Sequence, residues 1–147
     1  MKLFGHPLHP LLVHFPVALW TLAAMAQGAV MAGASREFGI NWPDAAHWLN
    51  VGGLATAPLA MAAGMMDMTV LRDDAPVMAV AELHMLLMAG AYTGYLAAAL
   101  APAFAGGHSV LIATACMSCG FIMLGLGGYF GGQLVYRHGA GVMRPRS

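Results

Sequence analysis

Residues 83–136 read LHMLLMAGAYTGYLAAALAPAFAGGHSVLIATACMSCGFIMLGLGGYFGGQLVY, a stretch without a single Lys, Arg, Asp or Glu. A helix needs about 20 apolar residues to cross the hydrocarbon core of a bilayer, so this run has room for two. Ala101-Pro102 and Gly106-Gly107-His108-Ser109 supply the break between them. Two further charge-free runs, Leu3 to Ser35 and Ala45 to Met66, hold one helix each. The composition agrees: 60% of residues are hydrophobic, only 8% are charged, and the mean hydropathy is +0.72. A water-soluble domain carries about 25% charged residues and could not be built from this chain.

The fold class that follows is an all-α integral membrane protein, a four-transmembrane-helix antiparallel bundle in one domain over residues 1–147. The spans are expected at Leu11–Met31, Ala45–Met66, Val77–Leu100 and Ser109–Gln133. Asp44 is the expected N-cap of the second span, and Asp73-Asp74-Ala75-Pro76 opens the third. Short connections make sequential helices antiparallel neighbours. Lys2, an apolar run and Ala24-Met25-Ala26 imitate a signal peptide, but three histidines and three prolines interrupt the run before Val17. The segment is read as retained. Lys2, Arg72, Arg137, Arg144 and Arg146 collect on one side against Arg36 on the other, which predicts that both termini are cytoplasmic.

Gly53, Ala57, Ala60 and Gly64 share one face of the second span. Gly90 and Gly94 make a small-xxx-small step in the third, and Gly120, Gly127, Gly128, Gly131 and Gly132 stud the fourth. Small residues allow close helix contact in a bilayer, or clearance for a flat cofactor. Cys116 and Cys119 lie within an apolar helix and read as packing residues. Zero net charge gives no footprint for nucleic acid. No nucleophile–base–acid set, phosphate loop, dinucleotide fingerprint or broken-helix repeat is present.

Chemistry is therefore sought in the histidines, because ionisable side chains inside a membrane mark functional sites. His6, His9 and His14 crowd the first span, and His84 lies in the third. The first and third spans run parallel, and His14 and His84 fall within about a turn of each other in depth. That spacing makes them a candidate axial pair for a b-type haem. Met88, Ala91 and Tyr95 follow His84 on its face, and Ala18, Thr21 and Met25 follow His14. Arg72, Arg137 and Lys2 are candidate partners for haem propionates. The bland alternative is that each histidine satisfies a backbone carbonyl, His14 beside the carbonyl freed by Pro16.

His6 and His9 each precede a proline, which predicts extended backbone ahead of the helix, with capping first and a second metal site as the alternative. His47 and His108 begin the second and fourth spans; with Trp42 and Trp48, His47 reads as part of an interfacial belt. Met61, Met65, Met66 and Met68 keep a copper-handling reading open, since thioethers suit Cu(I). Glu82 lies two positions before His84, on the opposite face, and is not its orienter.

The opening Gly5-His6-Pro7-Leu8-His9-Pro10-Leu11-Leu12-Val13-His14-Phe15-Pro16 resembles the start of a bacterial membrane-protein family known as domain of unknown function 2231. Gly131-Gly132-Gln133-Leu134-Val135-Tyr136-Arg137-His138-Gly139-Ala140-Gly141-Val142 resembles its closing motif, and Gly64, Asp67 and His84 match landmarks between them. Gln133 stands where the family pattern has an acid, and Ala140 where it has a larger aliphatic residue. The resemblance implies a bacterial inner-membrane protein, with relatives joined to Rieske-type iron–sulfur domains. It therefore favours a redox module whose partner is a quinone, a Rieske protein or a cytochrome. His138, in the closing motif, becomes an alternative ligand or propionate partner. Three classes remain: a haem-binding electron-transfer module, a haem-free copper or metal handler, and a cofactor-free assembly subunit. Further copies of the chain are left open as partners.

Overall fold

The computed structural model describes residues 2–3, 6–69 and 74–140, with side chains described from residue 8 onward. Four helices dominate: α1 (Leu8–Met31), α2 (Trp42–Met68), α3 (Ala75–Phe104) and α4 (Ser109–Tyr136). All four are long and apolar enough to cross a membrane. Two short antiparallel ladders accompany them, β1 (Lys2–Leu3) with β2 (His6–Pro7) and β3 (Arg36–Glu37) with β4 (Ile40–Asn41). The second is closed by Phe38 and Gly39, both at positive φ (55° and 76°), as a two-residue hairpin of this twist requires. Phe38 is 97% exposed at its tip.

The first three helices begin two or three residues earlier than the sequence predicts, for one reason. Pro10, Pro43 and Pro76 all lie in a first helical turn, where a missing N–H costs no bond and the ring's φ suits the helix. Asn41 is therefore the N-cap of α2 in place of Asp44: its side-chain oxygen accepts from the Asp44 N–H (3.3 Å), and its amide donates to the Asp44 carboxylate (2.7 Å). Asp74 caps α3 as expected, accepting from the Val77 N–H. Pro102 does not end α3, which continues to Phe104; a 3-10 turn at Gly106–His108 then leads into α4.

α1 packs chiefly on α2 and α3 chiefly on α4, with lighter contacts of α1 on α4 and of α2 on α3. The molecule is two antiparallel hairpins joined side by side, and they are built alike. A shift of 75 positions carries Pro16, Trp20, Ala23 and Ala26 of α1 onto Ala91, Tyr95, Ala98 and Ala101 of α3, and all eight are buried. A shift of 67 carries Ala46, Asn50, Gly53, Ala57 and Ala60 of α2 onto Ala113, Met117, Gly120, Leu124 and Gly127 of α4, again all buried. At the centre, Trp20 and Tyr95 stack with their rings 4.6 Å apart and 3° from parallel. Each ring rests on a glycine of its own hairpin. A Cβ on Gly53 would overlap the Trp20 indole, and one on Gly120 would stand 3.0 Å from Tyr95.

Candidate functional site

The same correspondence produces the site. His9 of α1 packs on α2, and its Nδ1–H donates to the Ala60 carbonyl (2.8 Å). His84 of α3 packs on α4, and its Nδ1–H donates to the Gly127 carbonyl (2.7 Å). One turn beyond each acceptor is a glycine. A Cβ on Gly64 would lie 3.0 Å from the His9 ring, and a Cβ on Gly131 would lie 3.0 Å from the His84 ring. Each imidazole thus has the same seat: a carbonyl at one edge and a bare glycine beneath. The small-residue face of α2 is what receives α1, and Gly127 and Gly131 do the same for α3.

Across the interface between hairpins the two rings face one another, with centres 6.4 Å apart and planes at 84°. Carbonyl oxygens only accept, so Nδ1 is the donor on both rings, and Nε2 is the nitrogen left for a ligand. A metal-binding histidine is oriented in this way by a backbone carbonyl on its other nitrogen.

The partner of His84 is therefore His9, not His14. His14 is exposed, and its Nδ1 reaches only the Leu11 carbonyl of its own helix, at 3.4 Å. Five residues on a helix turn a side chain through about 140°, so when His9 faces the bundle His14 faces away. Of the residues expected beneath His14, Ala18 and Met25 are exposed, Met25 by 66%, and Thr21 is half-buried. His9 lies inside the first turn of α1 and is not an extended capping residue, because Pro10 is accommodated there. The side chain of His6 and the whole of Arg72 lie outside the described residues.

Arg137 follows α4 on a different face from the pair. It lines an open groove of about 570 Å³ with Gly128, Tyr129, Gly132, Gln133 and Tyr136. His138 is half-buried just beyond the helix, where the Gly139 N–H bonds the Val135 carbonyl. His47 is exposed and meets Trp48 edge-on at 5.1 Å, as an interfacial residue does, and His108 is exposed in the 3-10 turn. Met65 and Met66 are about half exposed, and Met61 and Met68 are half-buried.

A family model described as "Predicted membrane protein (DUF2231)" matches residues 5–144. The chain belongs to this family. The match takes in both terminal motifs and, between them, Gly64 and His84. Neither a curated protein nor a solved structure matches the chain.

As a donor set, the pair offers two imidazole nitrogens. Among the described residues no cluster of three or more His, Cys, Asp or Glu is placed to hold a metal ion, and zinc sites draw three or four ligands from the protein. A haem needs only two, because the macrocycle supplies the rest. The two ring centres are 6.4 Å apart, across the junction of the hairpins. Nothing in the sequence marked His9 over His14.

Proposed function

We propose that this DUF2231 protein is a membrane-embedded b-type haem-binding module for single-electron transfer, with His9 and His84 as the axial pair. The observation that carries the reading is the matched seating of the two imidazoles, each with Nδ1 tied to a carbonyl and Nε2 free, 6.4 Å apart. A haem so ligated supplies a one-electron couple with no open coordination position. The chain's part is to hold both rings at fixed tautomer and angle. Gly64 and Gly131 keep the rings close to α2 and α4, and the two carbonyls raise the basicity of the ligating nitrogens. Gly64 and Gly131 lie within about a turn and a half of the ends of α2 and α4, near one membrane face. With the Lys/Arg-rich side cytoplasmic, that face is the cytoplasmic side of a bacterial inner membrane, accessible to a quinone head group or a redox protein. Copper handling has less support, since Met65 and Met66 are turned outward.

The test is purification in mild detergent from haem-replete cells, with oxidised and dithionite-reduced spectra and a pyridine extract. About one haem per chain is expected, with a sharp reduced band lost in His9→Ala and in His84→Ala and kept in His14→Ala. A colourless wild-type protein, or a band surviving both changes at the pair, overturns the reading.

A further inference from the structure

In α2 the two-hairpin correspondence keeps burial but changes chemistry, at one polar residue. Asn50 of α2 corresponds to Met117 of α4. Asn50 is 1% exposed and Trp20 3%, and each has a polar atom without a hydrogen-bond partner: Asn50 Oδ1 and Trp20 Nε1. These are the two such buried side-chain atoms among the described residues.

The orientation of the amide is dictated by its neighbour. One edge of Asn50 faces the Tyr95 carbonyl at 3.0 Å, and a carbonyl only accepts, so the nitrogen must be on that edge. Its oxygen is left pointing elsewhere, in need of a donor. Trp20 is set against the same tyrosine. Its ring stacks on Tyr95, whose hydroxyl donates to the Trp20 carbonyl at 3.0 Å, and the Cδ1–Nε1 edge of its indole lies over Gly53, one turn along α2 from Asn50. The indole nitrogen is a donor and nothing else. A buried donor and a buried acceptor, both held against Tyr95 and within one turn of α2, each lack what the other offers without bonding directly. In a bilayer no outside solvent can satisfy them, and leaving one such group bare costs about 1–3 kcal/mol.

We propose that this is a binding site for one internal water, accepting from Trp20 Nε1–H and donating to Asn50 Oδ1. Buried waters occupy sites of this chemistry, where polar atoms converge in an otherwise apolar interior. The water completes a polar node of Trp20, Asn50 and Tyr95 that ties α2 to α3 and α3 to α1. The node is independent of the histidine pair, which lies about three helical turns away along α1.

Two measurements test it. A map of the full chain in a lipid nanodisc, at a resolution that shows ordered solvent, should carry one peak within hydrogen-bond distance of both atoms. Absence of the peak, or a direct Trp20–Asn50 bond in its place, refutes the site. Ultraviolet resonance Raman on a Trp42→Phe/Trp48→Phe protein isolates Trp20. Its N–H marker should report a hydrogen bond, shifted to the free position in Asn50→Leu. A free N–H before that change, or a marker unmoved by it, also refutes the site. Should Asn50→Leu not fold, the map and the parent spectrum decide.

Discussion

His9 and His84 stand 6.4 Å apart at the junction of two hairpins, and each is aimed by a carbonyl within its own hairpin, Ala60 for one and Gly127 for the other. Neither ring depends on its partner for orientation. If both ligate one haem, removing either should remove the whole site, so His9→Ala, His84→Ala and the double change should lose equal amounts of haem. Non-additivity of this kind marks residues that act as a unit. Pyridine extraction of the three proteins checks it, and independent partial losses would count against a shared centre.

The two glycine seats should respond alike. Gly64→Ala and Gly131→Ala each place a methyl 3.0 Å from a ring that its hydrogen bond keeps from retreating. Each should lower stability by about 1–3 kcal/mol, as overpacking does. Thermal unfolding in detergent is the measurement, and a neutral result at either position would show that the ring can shift.

Outward glycines should behave in the opposite way. A Cβ at Gly125 or Gly128 meets nothing within 4 Å. Replacing either with alanine should leave the fold intact and add roughly 0.5–1 kcal/mol from helix propensity alone. Loss of stability at these positions would reveal a helix or partner packed on that face of α4.

Stacking of Trp20 on Tyr95 leaves the Tyr95 hydroxyl one task, the bond to the Trp20 carbonyl. Tyr95→Phe keeps the stack and removes the bond, so it should cost about 1 kcal/mol. Gly53→Ala, which drives a methyl into the Trp20 indole, should cost more than Gly120→Ala, where the gap to Tyr95 is 3.0 Å. The ranking can be read from the same unfolding curves.

The four helices were legible in the sequence because a bilayer forbids scattered charge; the gaps between charged residues are nearly a drawing of the spans. Helix phase was not legible. Whether His9 or His14 faces the bundle depends on where α1 begins, and Pro10 conceals that by suiting both an extended lead-in and a first turn. The repeat was hidden for another reason. The loop between α1 and α2 is longer than that between α3 and α4, so the offset is 75 in one helix and 67 in the next, and no single shift aligns the halves. Residue identity survives at six of the eleven matched pairs, among them His9 with His84, Gly53 with Gly120 and Gly64 with Gly131, but the others are alanines, too common in such helices to mark a repeat. The remaining five pairs share burial without sharing identity.

Seats closed within each hairpin also bear on biogenesis. A nascent membrane protein inserts its helices first and assembles them afterwards. Here the first hairpin can enter the bilayer with His9 already bonded to Ala60, before α3 has left the ribosome. The second can do the same with His84 and Gly127. Neither half then carries a bare Nδ1–H through hydrocarbon while it waits for the other. What awaits assembly is the contact between the halves: the approach of the two imidazoles, the Trp20–Tyr95 stack and the Asn50–Tyr95 bond.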